Sequence, residues 1–121
     1  MFRFEQKQYD DIPDTISPVL NNAVVRFNAI GLKHLLRKPR KRSHAEQAKR
    51  FALLQYAPRI IADSNASILY RKVIRYDLKI TQYWALDKII DGKRLRVVVR
   101  QVGDGNKHFF SIMERQTKNP A

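Results

Sequence analysis

Apolar positions along the chain change their spacing near residue 65. Before it they recur three and four apart or gather in short runs; beyond it they alternate with polar residues. Ala23-Val24-Val25-Arg26-Phe27 is a short β-branched run and predicts a strand. From Ala29 to Arg37 the spacing of Leu32, Leu35 and Leu36 predicts a short helix whose polar side carries Lys33, His34 and Arg37. Pro39 disfavours a helical residue before it, so Lys38-Pro39-Arg40-Lys41-Arg42 is expected as a basic connection. Ser43-His44-Ala45-Glu46 has the form of a capping box: the serine hydroxyl accepts from the amide three residues on, and the glutamate reaches back. A second helix is therefore expected from about His44 through Phe51 and Leu54 toward Ala57. Pro58 kinks it or opens a further short helix through Ile60 and Ile61, closed by Asp63-Ser64-Asn65.

Strand character follows. Ser67 to Tyr76 and Ile80 to Ile90 are rich in β-branched and aromatic residues, the latter holding Tyr83 and Trp84. Asp91-Gly92 signals a tight turn into Leu95-Arg96-Val97-Val98-Val99-Arg100, and Gly103-Asp104-Gly105-Asn106 a second one into His108 to Met113. The expected fold is α+β in the order β-α-α-β-β-β-β, with N-terminal helices packed on a four-stranded antiparallel sheet. A chain of 121 residues makes one domain. Its expected extent is 22–116, after an acidic, weakly ordered lead-in over 1–21 and before a frayed tail over 117–121.

Folding the last hairpin about Asp104-Gly105 sets Val102 opposite Lys107, Val99 opposite Phe110, Val98 opposite Ser111 and Val97 opposite Ile112. Leu95, Val97 and Val99 then share an apolar face with Phe110 and Ile112. The other face carries Arg94, Arg96, Val98 and Arg100 beside Phe109, Ser111 and Met113. Arginines interleaved with a ring and a hydroxyl suit a phosphodiester and an unstacked base, and equally suit a solvated sheet face.

Charge tips that balance. The chain carries 24 Lys and Arg against 11 Asp and Glu, a formal +13. The first 18 residues are acidic, through Glu5, Asp10, Asp11 and Asp14, so the excess lies in the remainder. A polyanionic partner is implied, nucleic acid before an anionic membrane surface. With no cysteine there is no disulfide, thiolate site or cysteine nucleophile, and His34, His44 and His108 lack metal-ligand spacing. No metal or cofactor is expected. Nor is a membrane span or signal peptide, which implies a cytoplasmic protein or one delivered into a target cell.

Among single residues, His34 lies beside Lys33 and Arg37, and its ordinary pKa suits proton transfer near neutrality. Lys33, Arg37, Arg40, Lys41 and Arg42, with Arg50 on the following helix and His108 on the last strand, are the residues expected to hold nucleic acid. Tyr83 or Phe109 could stack a base or simply pack the sheet, His108 ends a hairpin, and Glu46 reads as a capping and ion-pairing residue.

Gly31-Leu32-Lys33-His34-Leu35-Leu36, the basic connection, Arg50-Phe51-Ala52-Leu53 and the closing hairpin together resemble the barnase, EndoU, colicin and RelE-like nuclease superfamily, particularly its phage-borne and polymorphic-toxin members. The likeness spans roughly residues 22–114. It implies metal-independent endoribonuclease activity, with the RNA 2′-hydroxyl attacking the adjacent phosphorus to leave a 2′,3′-cyclic phosphate. It also implies His34 as acid or base, Arg96 and Arg100 as phosphate stabilisers and Ser111 as donor to a nonbridging oxygen. The second proton-transfer residue of many members has no counterpart here. The implied partners are RNA, such as tRNA or mRNA, and an acidic immunity or antitoxin protein. The alternatives are a non-catalytic basic RNA- or DNA-binding module, a toxin without nuclease action and, ranked low, a helix-turn-helix DNA binder.

Overall fold

The computed structural model describes residues 12–28 and 44–115. The long strands arise where local signals are strong. β3 (Ser67–Ile74), β4 (Ile80–Ile90), β5 (Lys93–Val102) and β6 (Lys107–Arg115) form an antiparallel meander. Between β4 and β5, Asp91 and Gly92 both have positive φ, 51° and 76°, the conformation of a two-residue hairpin turn whose twist matches the strands. A helical stretch precedes them: α1 is described over His44–Leu53, with the expected cap at Ser43 outside the described residues, a 3-10 turn follows over Leu54–Tyr56, and α2 (Ala57–Ile61) opens with Pro58 in its first turn.

The sheet has six strands rather than four. β1 (Thr15–Ser17) pairs antiparallel with β2 (Ala23–Arg26), and β2 runs parallel to β6, with Val25 opposite Lys107 and Arg26 opposite His108. The order β1-β2-β6-β5-β4-β3 makes a mixed, curled sheet. This corrects the expected four-stranded antiparallel sheet with helices packed on it. Three residues between Pro13 and Pro18 hold too little alternation to read as a strand, and only pairing with β2 makes them one. The sheet thus begins within the segment expected to be a lead-in. The expected helix over Ala29 to Arg37, and the basic connection after it, lie outside the described residues.

The core occupies one face of this sheet. Leu86 from β4, Leu95, Val97 and Val99 from β5 and Phe109 and Ile112 from β6 pack with Leu54, Ala57, Ile60 and Ile61 of the helical stretch, all essentially without exposure. Each of these larger side chains contributes about 1.5–3 kcal/mol when fully buried.

β6 departs from a regular ladder at one point. Val97 faces Ile112 and Val98 faces Ser111, as folding about Asp104-Gly105 predicts, but Val99 faces Phe109 and Arg100 faces His108. Phe110 is the extra residue of a β-bulge, and the same offset removes the expected pairing of Val102 with Lys107. The two phenylalanines thereby exchange their expected faces. Phe109 is fully buried and stacks on Phe27 at 5.1 Å, whereas half-buried Phe110 joins the arginine-bearing face. Urea unfolding checks this exchange. Phe109→Ala is expected to lower stability by about 3–5 kcal/mol and Phe110→Ala by about 1 kcal/mol; the opposite order would put Phe110 in the core.

Candidate functional site

Opposite the core, the registers of four strands align side chains in three cross-strand rows. The first runs Ser67, Asp87, Arg96, Met113; the second Leu69, Ala85, Val98, Ser111; the third Arg71, Tyr83, Arg100, His108. The middle row is short apart from Leu69, while its neighbours hold long or aromatic side chains. That difference in length makes a concavity of about 350 Å³, which Phe110 enters from the bulge and Arg50 from α1.

Each arginine is held differently. Arg96 donates from Nε to Asp87 Oδ1 at 2.7 Å and from Nη2 to Oδ2 at 2.9 Å, a bidentate pair that fixes the plane of the guanidinium. Arg94 adds Nη2 to Oδ2 at 3.2 Å. The hydrogen bond from Arg96 chiefly, with Arg94 helping and burial opposing, holds the Asp87 carboxyl below its ordinary range, and the same bond raises Arg96. Arg50 pairs through Nε with Glu46 Oε1 at 3.2 Å, four residues back on α1, and its Nη1 lies 3.5 Å from the buried Ser111 Oγ. Arg71 lies over the Tyr83 ring at 5.1 Å and Arg100 over Phe110 at 4.5 Å, while Tyr83 and Phe110 meet edge to face at 5.8 Å. Neither Arg71 nor Arg100 has a carboxylate partner among the described residues.

His108 is buried at 3 % exposure, and its Nε2 accepts from Arg100 Nε at 3.1 Å. Burial first, then the Arg100 charge, lowers its pKa, against a hydrogen bond with the Asn106 backbone. Its open lone pair is thus already engaged, and the neutral form is favoured.

Of the residues singled out in the sequence, Arg50, Tyr83, Arg96 and Ser111 converge on one cavity, and Arg100 backs Phe110 beside it. Phe109 lies on the core side, and His108 is beneath Arg100 rather than open to a ligand. Lys33, His34, Arg37, Arg40, Lys41 and Arg42 fall outside the described residues. Arg71, Asp87, Ala85 and Phe110 were not anticipated. Asp77 offered a signal for three of them: its Oδ1 accepts from Lys79 N at 3.1 Å, and folding the chain about it sets Arg71 against Tyr83, Leu69 against Ala85 and Ser67 against Asp87.

Comparison with protein-family models, curated proteins and solved structures finds no match. Among the described residues no cluster of His, Cys, Asp and Glu could hold a metal ion, and no helix is long and apolar enough to cross a membrane.

The Asp87 pair carries a pH dependence whose direction is set. A carboxyl depressed below its ordinary 3.8 contributes stability in full above that value and loses it as the pH falls through the lower folded-state value. Asp87→Asn is expected to cost about 2 kcal/mol at pH 7. Thermal melts of parent and variant should converge as the pH is lowered below 3.8.

Proposed function

We propose that this protein binds single-stranded nucleic acid on the face that carries the three rows. The observation that supports this best is the shallow middle row, flanked by arginines without enough carboxylate to neutralise them and by the paired rings of Tyr83 and Phe110. Guanidinium groups take the phosphates, which gives affinity for any sequence, and the rings take the face of an unstacked base. The net charge of +13 draws such a strand from solution.

Binding is favoured here over cleavage. Transphosphorylation needs a base for the 2′-hydroxyl and an acid for the leaving oxygen. The described lining of the cavity has no histidine and no carboxylate, and Tyr83 and Ser111 are its only hydroxyls. His34 is not among the described residues.

One assay separates the two activities: a labelled single-stranded RNA titrated with protein in chelator, followed by anisotropy and by gel over time. Retardation without shortening is expected. New shorter products that vanish in His34→Ala would replace the binding module with a ribonuclease. Arg71→Ala should flatten the slope of log affinity against log salt by about 0.7, one phosphate contact on a single strand. Phe110→Ala should cost about 1–3 kcal/mol of affinity, the worth of one stacked base. Unchanged binding in both variants would place the contact elsewhere.

A further inference from the structure

The tip of the β3–β4 hairpin carries a large apolar side chain where backbone and solvent both disfavour one. Tyr76, Asp77 and Leu78 form a three-residue loop, closed by Leu78 N donating to Arg75 O at 2.8 Å and Arg75 N donating to Lys79 O at 2.9 Å. Loops of this length commonly end in a residue of positive φ, a position that favours glycine. Here that residue is Leu78, at φ 64°. The other non-glycine residues at positive φ among the described residues are Asn21, Asn22 and Asp91, whose short polar side chains tolerate it. Leu78 is 81 % exposed, so core packing does not compensate the strain.

Leu78 is not isolated. Tyr76 is fully exposed, and Ile74 and Ile80, opposite each other across the ladder, are exposed as well. That pair lies on the other face of the hairpin from Arg71 and Tyr83, so this apolar tip is separate from the cleft. Cations flank it: Lys72, Arg75 and Lys79 have no carboxylate partner among the described residues. Asp77, the one acidic residue of the loop, already accepts from the Lys79 amide through Oδ1.

A projecting apolar tip among lysines and arginines is complementary to acyl chains beneath anionic headgroups. A tyrosine suits that boundary because its ring is apolar and its hydroxyl stays in water. Lysine and arginine stems lie along apolar surface while their charges reach headgroup phosphates. A nucleic-acid strand offers the phosphates but no aliphatic layer for Leu78, Ile74 and Ile80. We propose that the β3–β4 tip docks this protein on an anionic membrane surface, with Tyr76 and Leu78 entering the interface and Lys72, Arg75 and Lys79 meeting the headgroups.

The test is co-sedimentation of the full chain with vesicles of phosphatidylcholine alone, or of phosphatidylcholine and phosphatidylserine in equal parts, beside anisotropy with labelled single-stranded RNA. Binding is expected to the phosphatidylserine vesicles alone and to weaken with salt. Adsorption through net charge shares both properties, so tip variants decide. Leu78→Gly should raise the melting midpoint by about 4 °C, because glycine accepts the left-handed conformation, yet weaken vesicle binding about tenfold or more, the scale of burying one leucine. Tyr76→Ser should weaken it in the same direction with the melt unchanged. Tyr76→Trp should emit further to the blue on phosphatidylserine vesicles, against the parent, whose single tryptophan is Trp84. RNA affinity is expected to stay the same in all three variants. Absence of vesicle binding, undiminished binding in both Leu78→Gly and Tyr76→Ser, or unshifted Tyr76→Trp emission would overturn the docking tip. Loss of RNA binding in place of vesicle binding would overturn it too, and assign the tip to the strand.

Discussion

The ladder that holds β5 between β4 and β6 is the constraint on which the rest of the molecule depends. β5 is paired on both sides, so its alternation cannot slip by one residue without sending Leu95, Val97 and Val99 out of the core. With those three turned inward, Arg94, Arg96, Val98 and Arg100 must share the opposite face. Every neighbour then inherits its side from β5. Asp87 meets Arg96, Ala85 meets Val98 and Tyr83 meets Arg100 on one flank, while Met113, Ser111 and His108 meet the same three positions on the other. Core and candidate site are two readings of a single register, with the helical stretch packed on the core face and its Arg50 reaching the other.

What was legible in the sequence follows from how local each signal is. Asp91-Gly92 specifies a turn by backbone preference alone, and the turn lies where those residues put it. The arginine alternation on β5 could be read from four consecutive odd and even positions. β1 could not, because Thr15–Ser17 becomes a strand only through Ala23–Arg26, and β2 joins the sheet only through the distant β6. The bulge was hidden for a related reason. A two-residue turn and an even ladder are the default for a hairpin, and nothing at Phe109 or Phe110 distinguishes the ring that stacks on Phe27 from the one that does not. Arg71 escaped because the β3–β4 connection has no glycine, so its pivot at Asp77 was not weighed as a turn.

The site also shows how a protein with a large positive excess keeps some of its cations in fixed positions. An exposed arginine is a mobile charge on a long stem, and ordering it on a ligand costs side-chain entropy. Here Asp87 and Glu46 orient Arg96 and Arg50, and the rings of Phe110 and Tyr83 lie beneath Arg100 and Arg71. The two carboxylates weaken the field, but they leave the guanidinium groups already arranged, so less freedom is lost when an anion arrives. The charge first read from composition is in this region a geometry.

The bulge in β6 separates two properties that a regular strand would bind together. Ile112, Ser111, Phe109 and His108 are paired as they would be in an even ladder, and Phe110 stands between them as a surplus residue. A gene lacking that one codon would encode a hairpin with the same partners on the same faces and the same core. It would lack only the ring that borders the cavity and lies beneath Arg100. Loss of the Phe109 codon would encode the same protein, whereas loss of a codon between Ser111 and Met113 would turn part of the strand inside out.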